Sequence, residues 1–157
     1  MKKILKLLSA KPEDKSFARR FYDDLAVDVL SRTLWGEARG EGPQGMEAVA
    51  CVILNRVSVS QKKGGYWWGN GIISVCQKPY QFSCWNRSDP NYRMLQSVSE
   101  KDIHYASALR IARRAVAGVL ADNTRGATHY HARSVTPDWS SGQTPSAVIG
   151  NHIFYKL

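Results

Sequence analysis

The sequence predicts a single α+β domain that is mainly helical and carries a small antiparallel sheet. The chain has 157 residues, which is enough for one hydrophobic core but short for two. Three long segments repeat apolar residues every three to four positions, as amphipathic helices do. Two short segments near the C-terminus are rich in β-branched and aromatic residues, which favours strands. We therefore expect three main helices and a small sheet around one core.

The first helix is predicted to begin after Ser16, which has the side chain of a helix N-cap. Its apolar positions are Phe17, Phe21, Leu25, Val29, Leu30 and Leu34. The residues before it, 1–15, are basic, but their apolar run is short and is interrupted by Lys6 and Lys11. We expect neither a cleaved signal peptide nor a transmembrane span there. Residues 1–15 are interpreted as a solvated segment or, alternatively, as a basic segment that rests on anionic lipid.

The far end of this helix leads into residues 36–41, Gly-Glu-Ala-Arg-Gly-Glu, predicted to form a turn. Glu37 stands there between two glycines and is the first candidate for chemistry. Cleavage of a glycosidic bond needs a carboxylic acid that keeps a proton near neutral pH, and burial beside an aromatic ring favours this. Trp35 is close enough in sequence to supply such a ring.

The second helix is predicted to start at Gly42 and Pro43, because proline is tolerated at the first helical position. Its apolar residues, which make it one of the most buried elements, are Met46, Val49, Ala50, Ile53, Leu54 and Val57. Asn55 and Arg56 are expected to close the helix, either as plain helix-end residues or as supporting partners of the site. Residues 58–91 are rich in glycine and aromatic residues without a sustained period, so they are expected to form loops with short elements.

The third helix is predicted between Ser99 and Leu120. Its apolar positions are Ile103, Ala106, Leu109, Ile111, Ala112, Ala115, Val116 and Val119, and its other face carries Arg110, Arg113 and Arg114. The arginine face is interpreted as solvated, with contact to an anionic polymer as the alternative. Strands are predicted within residues 126–133 and 148–155.

The composition, 43% hydrophobic and 22% charged, excludes wholesale disorder. A formal net charge of +9 attracts polyanions, which include nucleic acid, anionic membrane and the acidic polymers of a bacterial envelope. Of the three cysteines, Cys51 is expected to be a small buried hydrophobe. Cys76 and Cys84 flank a loop and could bridge in an oxidising compartment, but we expect reduced thiols.

Five separated blocks of the chain resemble, in order, the SleB-type cell wall hydrolases. The match runs from about Leu25 to Tyr155. The blocks are Leu30-Ser-Arg-Thr-Leu-Trp-Gly-Glu-Ala-Arg-Gly-Glu41, Gly45-Met-Glu-Ala-Val-Ala-Cys-Val-Ile-Leu-Asn-Arg-Val57, Gln77-Lys-Pro-Tyr-Gln-Phe-Ser83, Gly126-Ala-Thr-His-Tyr130 and Gly150-Asn-His-Ile-Phe154. The resemblance implies a lysozyme-like catalytic domain that cleaves the glycan strand of peptidoglycan without a cofactor. It also implies that Glu37 is the catalytic acid.

The implied reaction is either lytic transglycosylation, which needs one catalytic carboxylate, or hydrolysis by a muramidase. Hydrolysis with a carboxylate pair needs a second group at about 5 to 5.5 Å in a retaining enzyme or about 6.5 to 9.5 Å in an inverting one. Glu41, Glu47 and Asp138 are the candidates. We expect Glu41 to pair with Arg39 or cap the following helix, Glu47 to bind a backbone donor or an arginine near the site, and Asp138 to be a turn residue.

A bound glycan needs aromatic faces for its sugar rings and amides or hydroxyls for its polar edges. The expected lining consists of Gln81, Phe82, Ser83, Tyr130 and Trp139, although a core position suits Phe82 and Tyr130 equally well. Asn55 is expected to support the site, together with Glu41 and Glu47.

Two other functions compete with this interpretation. His129 and His131 alternate onto one strand face and could form a zinc site with His152 or His104, as in a metal-dependent amidase or peptidase. The second alternative is a non-catalytic basic module that binds wall or nucleic acid, although the chain carries no recognised nucleic-acid motif.

The favoured context is a monomeric phage endolysin made in the host cytoplasm and then released to the periplasm and cell wall. Its partners would be peptidoglycan and, through the basic N-terminal segment, anionic membrane or lipopolysaccharide. No nucleic-acid partner and no metal are expected. An envelope enzyme of bacterial origin is the alternative.

Overall fold

A computed structural model describes the backbone of residues 12–157 and the side chains from residue 16 onward. Five α-helices are described: α1 Pro12–Ala38, α2 Gly42–Lys62, α3 Ile72–Gln77, α4 Asn91–Ser97 and α5 Ile103–Val116. Three short 3-10 helices cover Arg39–Glu41, Ser83–Trp85 and Asp138–Ser140. The strands are β1 His129–Ala132, β2 Ala147–Ile149 and β3 His152–Tyr155. The α+β prediction, with a small antiparallel sheet, is confirmed.

Helix α2 lies at the centre of the molecule and packs on two sides. Its buried residues Met46, Val49 and Ile53 join the main core with α1 and α5. Ala48 and Val52, on its other side, pack with Phe154 of the sheet. A helix that is apolar around most of its circumference must be covered on several sides. This explains why the second predicted helix is the most completely buried one.

The sheet has the strand order β1-β3-β2, and both pairings are antiparallel. The residues opposite one another include Tyr130 and Phe154 in β1 and β3, and Ala147 and Phe154 in β2 and β3. The predicted strand at 148–155 is therefore two strands. Gly150, with φ +58°, forms part of the turn between them, because glycine accepts a left-handed backbone without strain.

Two predictions about the first helix were wrong. The helix is already present at Pro12, before the expected cap at Ser16, so the predicted segment 1–15 overlaps it, and residues 1–11 lie outside the described part. The apolar side chains in its first half are also exposed, with Phe17 at 64% and Phe21 at 58%. Burial begins near Ala26, where α1 meets the rest of the core.

The other boundaries differ in detail. Asn55 and Arg56 do not close α2, which continues for more than another turn to Lys62. Helix α4 was not predicted, and Ile103, expected in the core, is 75% exposed at the start of α5. The three cysteines are buried and free. Among the described residues, no helix combines the length and the apolar character needed to cross a membrane.

Candidate active site

Glu37 lies in the last turn of α1, half-buried, and its carboxylate accepts two hydrogen bonds from distant parts of the chain. The backbone N–H of Cys84 donates to Oε1 at 3.3 Å. The hydroxyl of Tyr130, on β1, donates to Oε2 at 3.4 Å. Residues 36–41, expected to form a turn, continue the α-helix up to Ala38 and form a 3-10 helix from Arg39 to Glu41. Both carboxylate oxygens of Glu37 are oriented by fixed donors.

The glycine before Glu37 allows the Cys84 segment to approach. A Cβ placed on Gly36 would lie 2.7 Å from Cys84 Cβ and 3.3 Å from Leu95 Cδ2. Real Cβ atoms do not approach other carbons that closely, so only glycine fits here without movement of the backbone. The close contact holds the Cys84 amide against the carboxylate of the adjacent residue.

Tyr130 remains a hydroxyl donor because its surroundings oppose ionisation. Burial and the nearby charge of Glu37 raise the pKa of Tyr130 well above its ordinary value. Its ring stacks on Phe154 with centroids 5.6 Å apart, which fixes the direction of the hydroxyl. Tyr130 therefore contacts the carboxylate itself, where the sequence had suggested either a core position or the lining of a glycan groove.

His152 is a second group beside this carboxylate. Its side chain is buried, its Nδ1 has no hydrogen-bond partner among the described residues, and its ring lies 5.0 Å from that of Tyr130. Burial lowers the pKa of His152, although the charges of Glu41 and Glu37 act in the opposite direction. A neutral imidazole is therefore favoured near the candidate acid.

Glu41 anchors the turn between β2 and β3. Its Oε2 accepts from the backbone N–H of Asn151 at 2.9 Å, and its Oε1 from the Asn151 side-chain amide at 3.4 Å. The expected pairing with Arg39 or capping of α2 is wrong, since no side chain caps that helix. Arg39 instead donates to the Trp35 carbonyl at 3.1 Å and to Asn91 Oδ1 at 2.8 Å.

The expectation that Trp35 walls Glu37 was also wrong. Residues two apart on an α-helix point about 200° apart. The Trp35 ring is buried in the core, its Nε1 donates to Asp102 Oδ1 at 3.2 Å, and the Arg39 guanidinium lies 4.1 Å from its centroid. The aromatic group beside Glu37 is Tyr130, which comes from the sheet.

The other two carboxylate candidates, Glu47 and Asp138, have roles in the fold. Glu47 pairs with Arg114 of α5 at 3.1 Å, so its partner is an arginine of the helical layer rather than of the Glu37 site. Asp138 opens a 3-10 helix after Pro137, which agrees with its expected role in a turn. Asn55 donates to the Ala127 carbonyl at 2.9 Å and to Asp122 at 3.1 Å, which holds the loop before β1.

A cleft of about 450 Å³ lies at the start of β1, on the sheet face that carries His129 and Trp139. Its lining consists of Arg56, Trp67, Pro79, Tyr80, Gln81, His129 and Trp139. Three rings are exposed there: Tyr80 at 89%, Trp67 at 61% and Trp139 at 38%. The two chain segments that donate to Glu37 also contribute to this lining, through Gln81 and His129.

The predicted lining residues are only partly brought together by this cleft. Gln81 and Trp139 line it, and Ser83 is exposed next to Cys84. Phe82 is 2% exposed and belongs to the core, so it supports the wall from behind and cannot stack on a ligand. Arg56 of α2, expected as a helix end or as a supporting partner of the site, lines the cleft itself.

The geometry of the sheet separates the histidines that a zinc site would need. His129 and His131 lie on the face covered by Trp139, with ring centroids 5.3 and 5.6 Å from its indole. His152 is opposite Ala132, on the face that carries Tyr130. Side chains on opposite faces of a sheet cannot converge on one ion. Within residues 12–157, no cluster of three metal-ligating side chains is formed.

Comparisons with known proteins agree on one kind of relative. A family model described as Cell Wall Hydrolase matches residues 40–155. The spore cortex-lytic enzyme of Halalkalibacterium halodurans is 30% identical over 136 residues, which are 85% of this chain and 35% of that protein. The chain therefore spans about a third of this relative's length.

Two solved structures are similar in fold. The catalytic domain of the Bacillus cereus SleB protein superposes with a TM-score of 0.64 at 26% identity, covering 83% of this chain and 89% of that one. The catalytic domain of the germination-specific lytic transglycosylase SleB from Bacillus anthracis gives the same TM-score and identity, covering 83% and 93%.

Proposed function

Because this chain belongs to the cell wall hydrolase family, we propose that it cleaves the glycan strand of peptidoglycan by lytic transglycosylation, with Glu37 as its catalytic acid and base. The observation that carries the proposal is the placement of Glu37. Its two carboxylate oxygens are held by the Cys84 amide and the Tyr130 hydroxyl, and the chain segments of both donors contribute Gln81 and His129 to an aromatic cleft.

The proposed reaction uses one carboxylate twice. Protonated Glu37 gives its proton to the glycosidic oxygen as the bond to C1 of the muramyl residue breaks. The resulting carboxylate then takes the proton of the C6 hydroxyl of the same residue, and that oxygen bonds to C1. A 1,6-anhydro ring closes without water, and Glu37 ends the cycle protonated.

The other candidate carboxylates, Glu41 and Glu47, support the one-carboxylate route. A hydrolytic pair would need a second carboxylate free to activate water or attack C1. Glu41 accepts two hydrogen bonds from Asn151, and Glu47 is paired with Arg114. Both are engaged in holding the fold.

The glycan is proposed to lie along the aromatic cleft. Sugar rings bury their apolar faces against aromatic side chains, and polar groups at the edge fix their orientation. Trp67, Tyr80 and Trp139 offer exposed rings, while Gln81 and Ser83 supply polar atoms. Phe82 and Asn55 act indirectly, by supporting the cleft wall and the approach to β1.

Mass spectrometry of peptidoglycan digested with the purified protein tests the proposal. Muramyl products with 1,6-anhydro ends are expected, and Glu37→Gln should release none while keeping the wild-type circular dichroism spectrum. Glu47→Gln, which changes a carboxylate outside the site, is the matched control and should keep the activity. Reducing muramyl ends would instead identify a muramidase, and product release by Glu37→Gln at the wild-type rate would refute the assignment of Glu37.

We also propose the endolysin context, in which the protein accumulates in the host cytoplasm and reaches the wall after the membrane is opened. The net charge of +9 supports contact with an anionic envelope, including membrane or lipopolysaccharide. Expression in a Gram-negative host should cause lysis only when a holin is co-expressed, and lysis without one would contradict this context. Deletion of residues 1–11 should weaken binding to anionic vesicles, and unchanged binding would remove the proposed role of that segment.

A further inference from the structure

Arg56 has a guanidinium group that is anchored at one nitrogen and open at the other two. Its Nε donates to the Thr128 carbonyl at 2.7 Å. The ion pairs among the described residues involve other arginines, and no described hydrogen bond uses the terminal nitrogens of Arg56. Two terminal nitrogens in a plane match the two oxygens of a carboxylate.

The surroundings of Arg56 make an anionic ligand favourable. Its guanidinium lies 5.3 Å from the Trp68 ring and 5.8 Å from the Phe82 ring. Burial lowers the pKa of Arg56 to about 10, so the group is still charged at neutral pH. A cation removed from water without a counter-ion is costly, and a ligand anion would offset that cost.

Gln81, which lines the same cleft, has an acceptor oxygen without a partner. Its Nε2 donates to the Val75 carbonyl at 2.7 Å and to the Trp68 carbonyl at 3.2 Å, which fixes the orientation of the amide. Its Oε1 is buried and has no partner among the described residues. A complementary ligand therefore carries an anionic group together with an N–H or O–H donor.

Arg56 contacts both chain segments that donate to the candidate acid. It donates to the Thr128 carbonyl, two residues before Tyr130, and it lies over the ring of Phe82, two residues before Cys84. Tyr130 and Cys84 are the two donors to Glu37. A muramyl residue cleaved at C1 carries its acidic side chain on C3 of the same ring. An anionic group on the residue being cleaved is therefore a candidate ligand for Arg56.

We propose that Arg56 binds a carboxylate on the side chain of the muramyl residue, while Gln81 accepts a hydrogen bond from an N–H or hydroxyl of the same residue. This assignment rests on the proposed glycan-cleaving function. The carboxylate can come from two sources. In a strand without stem peptides it is the lactyl group itself, and in an intact strand it belongs to the stem peptide.

The test compares kcat/KM on two matched pairs of glycan substrates. The first pair is stem-free strands with lactyl carboxylates and the same strands with these groups converted to methylamides. The second pair is intact strands with free or amidated stem-peptide carboxylates. Wild-type protein is expected to prefer the acidic member of at least one pair by about 10-fold or more. A preference in the first pair identifies the lactyl group, and one in the second identifies the stem.

The ratio within each pair is then measured for variants. In Arg56→Gln the preference should fall to about 1, and Arg56→Lys should retain part of it, because lysine keeps the charge but loses the planar pair of donors. Arg110→Gln removes an exposed arginine of α5 and should keep the wild-type ratio, which controls for net charge. Gln81→Glu also loses the two hydrogen bonds from Nε2, so its ratio is compared only if its thermal unfolding matches wild type. The preference should then be reversed, because a negative charge lies beside the bound carboxylate.

The outcome that would contradict the role of Arg56 differs from the outcome that would contradict glycan cleavage. If wild-type protein cleaves both members of each pair equally, or if Arg56→Gln keeps the wild-type preference, the assignment of Arg56 is wrong although glycan cleavage stands. If wild-type protein cleaves no strand, the proposed function itself fails. Arg56 also donates to the Thr128 carbonyl, so its replacement could destabilise the fold. Thermal unfolding is therefore recorded for each variant, and the substrate ratios are compared only among variants that fold. If Arg56→Gln does not fold, Arg56→Lys takes its place.

Discussion

Gly36 and Cys84 are packed so closely that a side chain at residue 36 would displace the Cys84 amide, which donates a hydrogen bond to Glu37. A Cβ at Gly36 would lie 2.7 Å from Cys84 Cβ. Gly36→Ala should therefore displace the Ser83–Trp85 segment, lower the free energy of unfolding by about 1–3 kcal/mol, and lower kcat. In an open helix, the same change would be stabilising by about 1 kcal/mol. Urea unfolding and turnover of peptidoglycan measure the two effects.

Gly40→Ala is the control for this prediction, because a Cβ on Gly40 meets no atom within 4 Å. It should leave both stability and turnover close to wild type. Adding Cys84→Gly to Gly36→Ala removes the clashing atom and should restore part of the activity. If Gly36→Ala is as active and as stable as Gly40→Ala, the packing explanation fails.

Tyr130→Phe tests the hydroxyl that contacts Glu37. The variant keeps the ring and its stacking on Phe154 but removes the donor to Oε2. We expect kcat to fall by about 10- to 100-fold, the loss of one hydrogen bond to a charged group, with a smaller change in KM, because the hydroxyl orients the acid rather than the glycan. Steady-state kinetics on soluble glycan strands measures this split, and an unchanged kcat would exclude the proposed role.

Glu41→Ala separates support from catalysis. Loss of its hydrogen bonds to Asn151 should loosen the turn between β2 and β3 and lower the free energy of unfolding by about 1 kcal/mol. Turnover should fall less than 10-fold, whereas Glu37→Gln should remove nearly all of it. Glu47→Ala, which breaks an ion pair with Arg114, provides a matched comparison for stability. Loss of activity in Glu41→Ala equal to that in Glu37→Gln would instead indicate a second catalytic carboxylate.

The stability of the fold should depend on pH through His152. Burial lowers the pKa of His152 below the ordinary value of about 6.5. Between these two values the unfolded chain binds more protons than the folded one, so the free energy of unfolding falls as pH drops below about 6.5. The loss stops once the pH is below the folded pKa.

Urea unfolding between pH 7.5 and pH 5 checks this sign. His152→Gln should flatten the dependence, and His104→Gln, at an exposed residue, should keep the wild-type slope. The pKa of His129 is also lowered by burial and by the charge of Arg56, so some dependence should remain in His152→Gln. An undiminished slope in that variant would show that His152 does not carry the effect.

Local patterns in the sequence predict those helices and strands whose formation depends mainly on residues close together in the chain. Gly42 and Pro43 mark the start of α2, and the apolar period of that helix predicts its burial. Composition predicts strands near the end, but β-branched or aromatic residues occur on both sides of Gly150, so the turn between β2 and β3 is not visible as a boundary. The exposed first half of α1 also escapes prediction, because periodicity identifies an apolar face but not whether another element covers it.

The residues of the candidate site also differ in how far the sequence predicts them. Glu37 is recognisable from its motif, whereas Arg56 and His152 gain their positions from contacts between distant segments. Phe82 and Gln81 are adjacent in a loop without a period, so the sequence could not distinguish the core residue from the cleft residue. Trp35 does not reach Glu37 because the helix continues to Ala38 where a turn was expected, and the helical repeat directs residues 35 and 37 to different sides.

The strand order β1-β3-β2 has a consequence for synthesis on the ribosome. β1 and β2 pair with β3 rather than with each other, and β3 is made after both. Helices α1, α2 and α5 can pack while the chain is still growing, but β1 has no partner until His152–Tyr155 emerges. The Tyr130 hydroxyl therefore reaches Glu37 only when the sheet closes, which keeps the nascent chain without its complete carboxylate site until the last strand is in place.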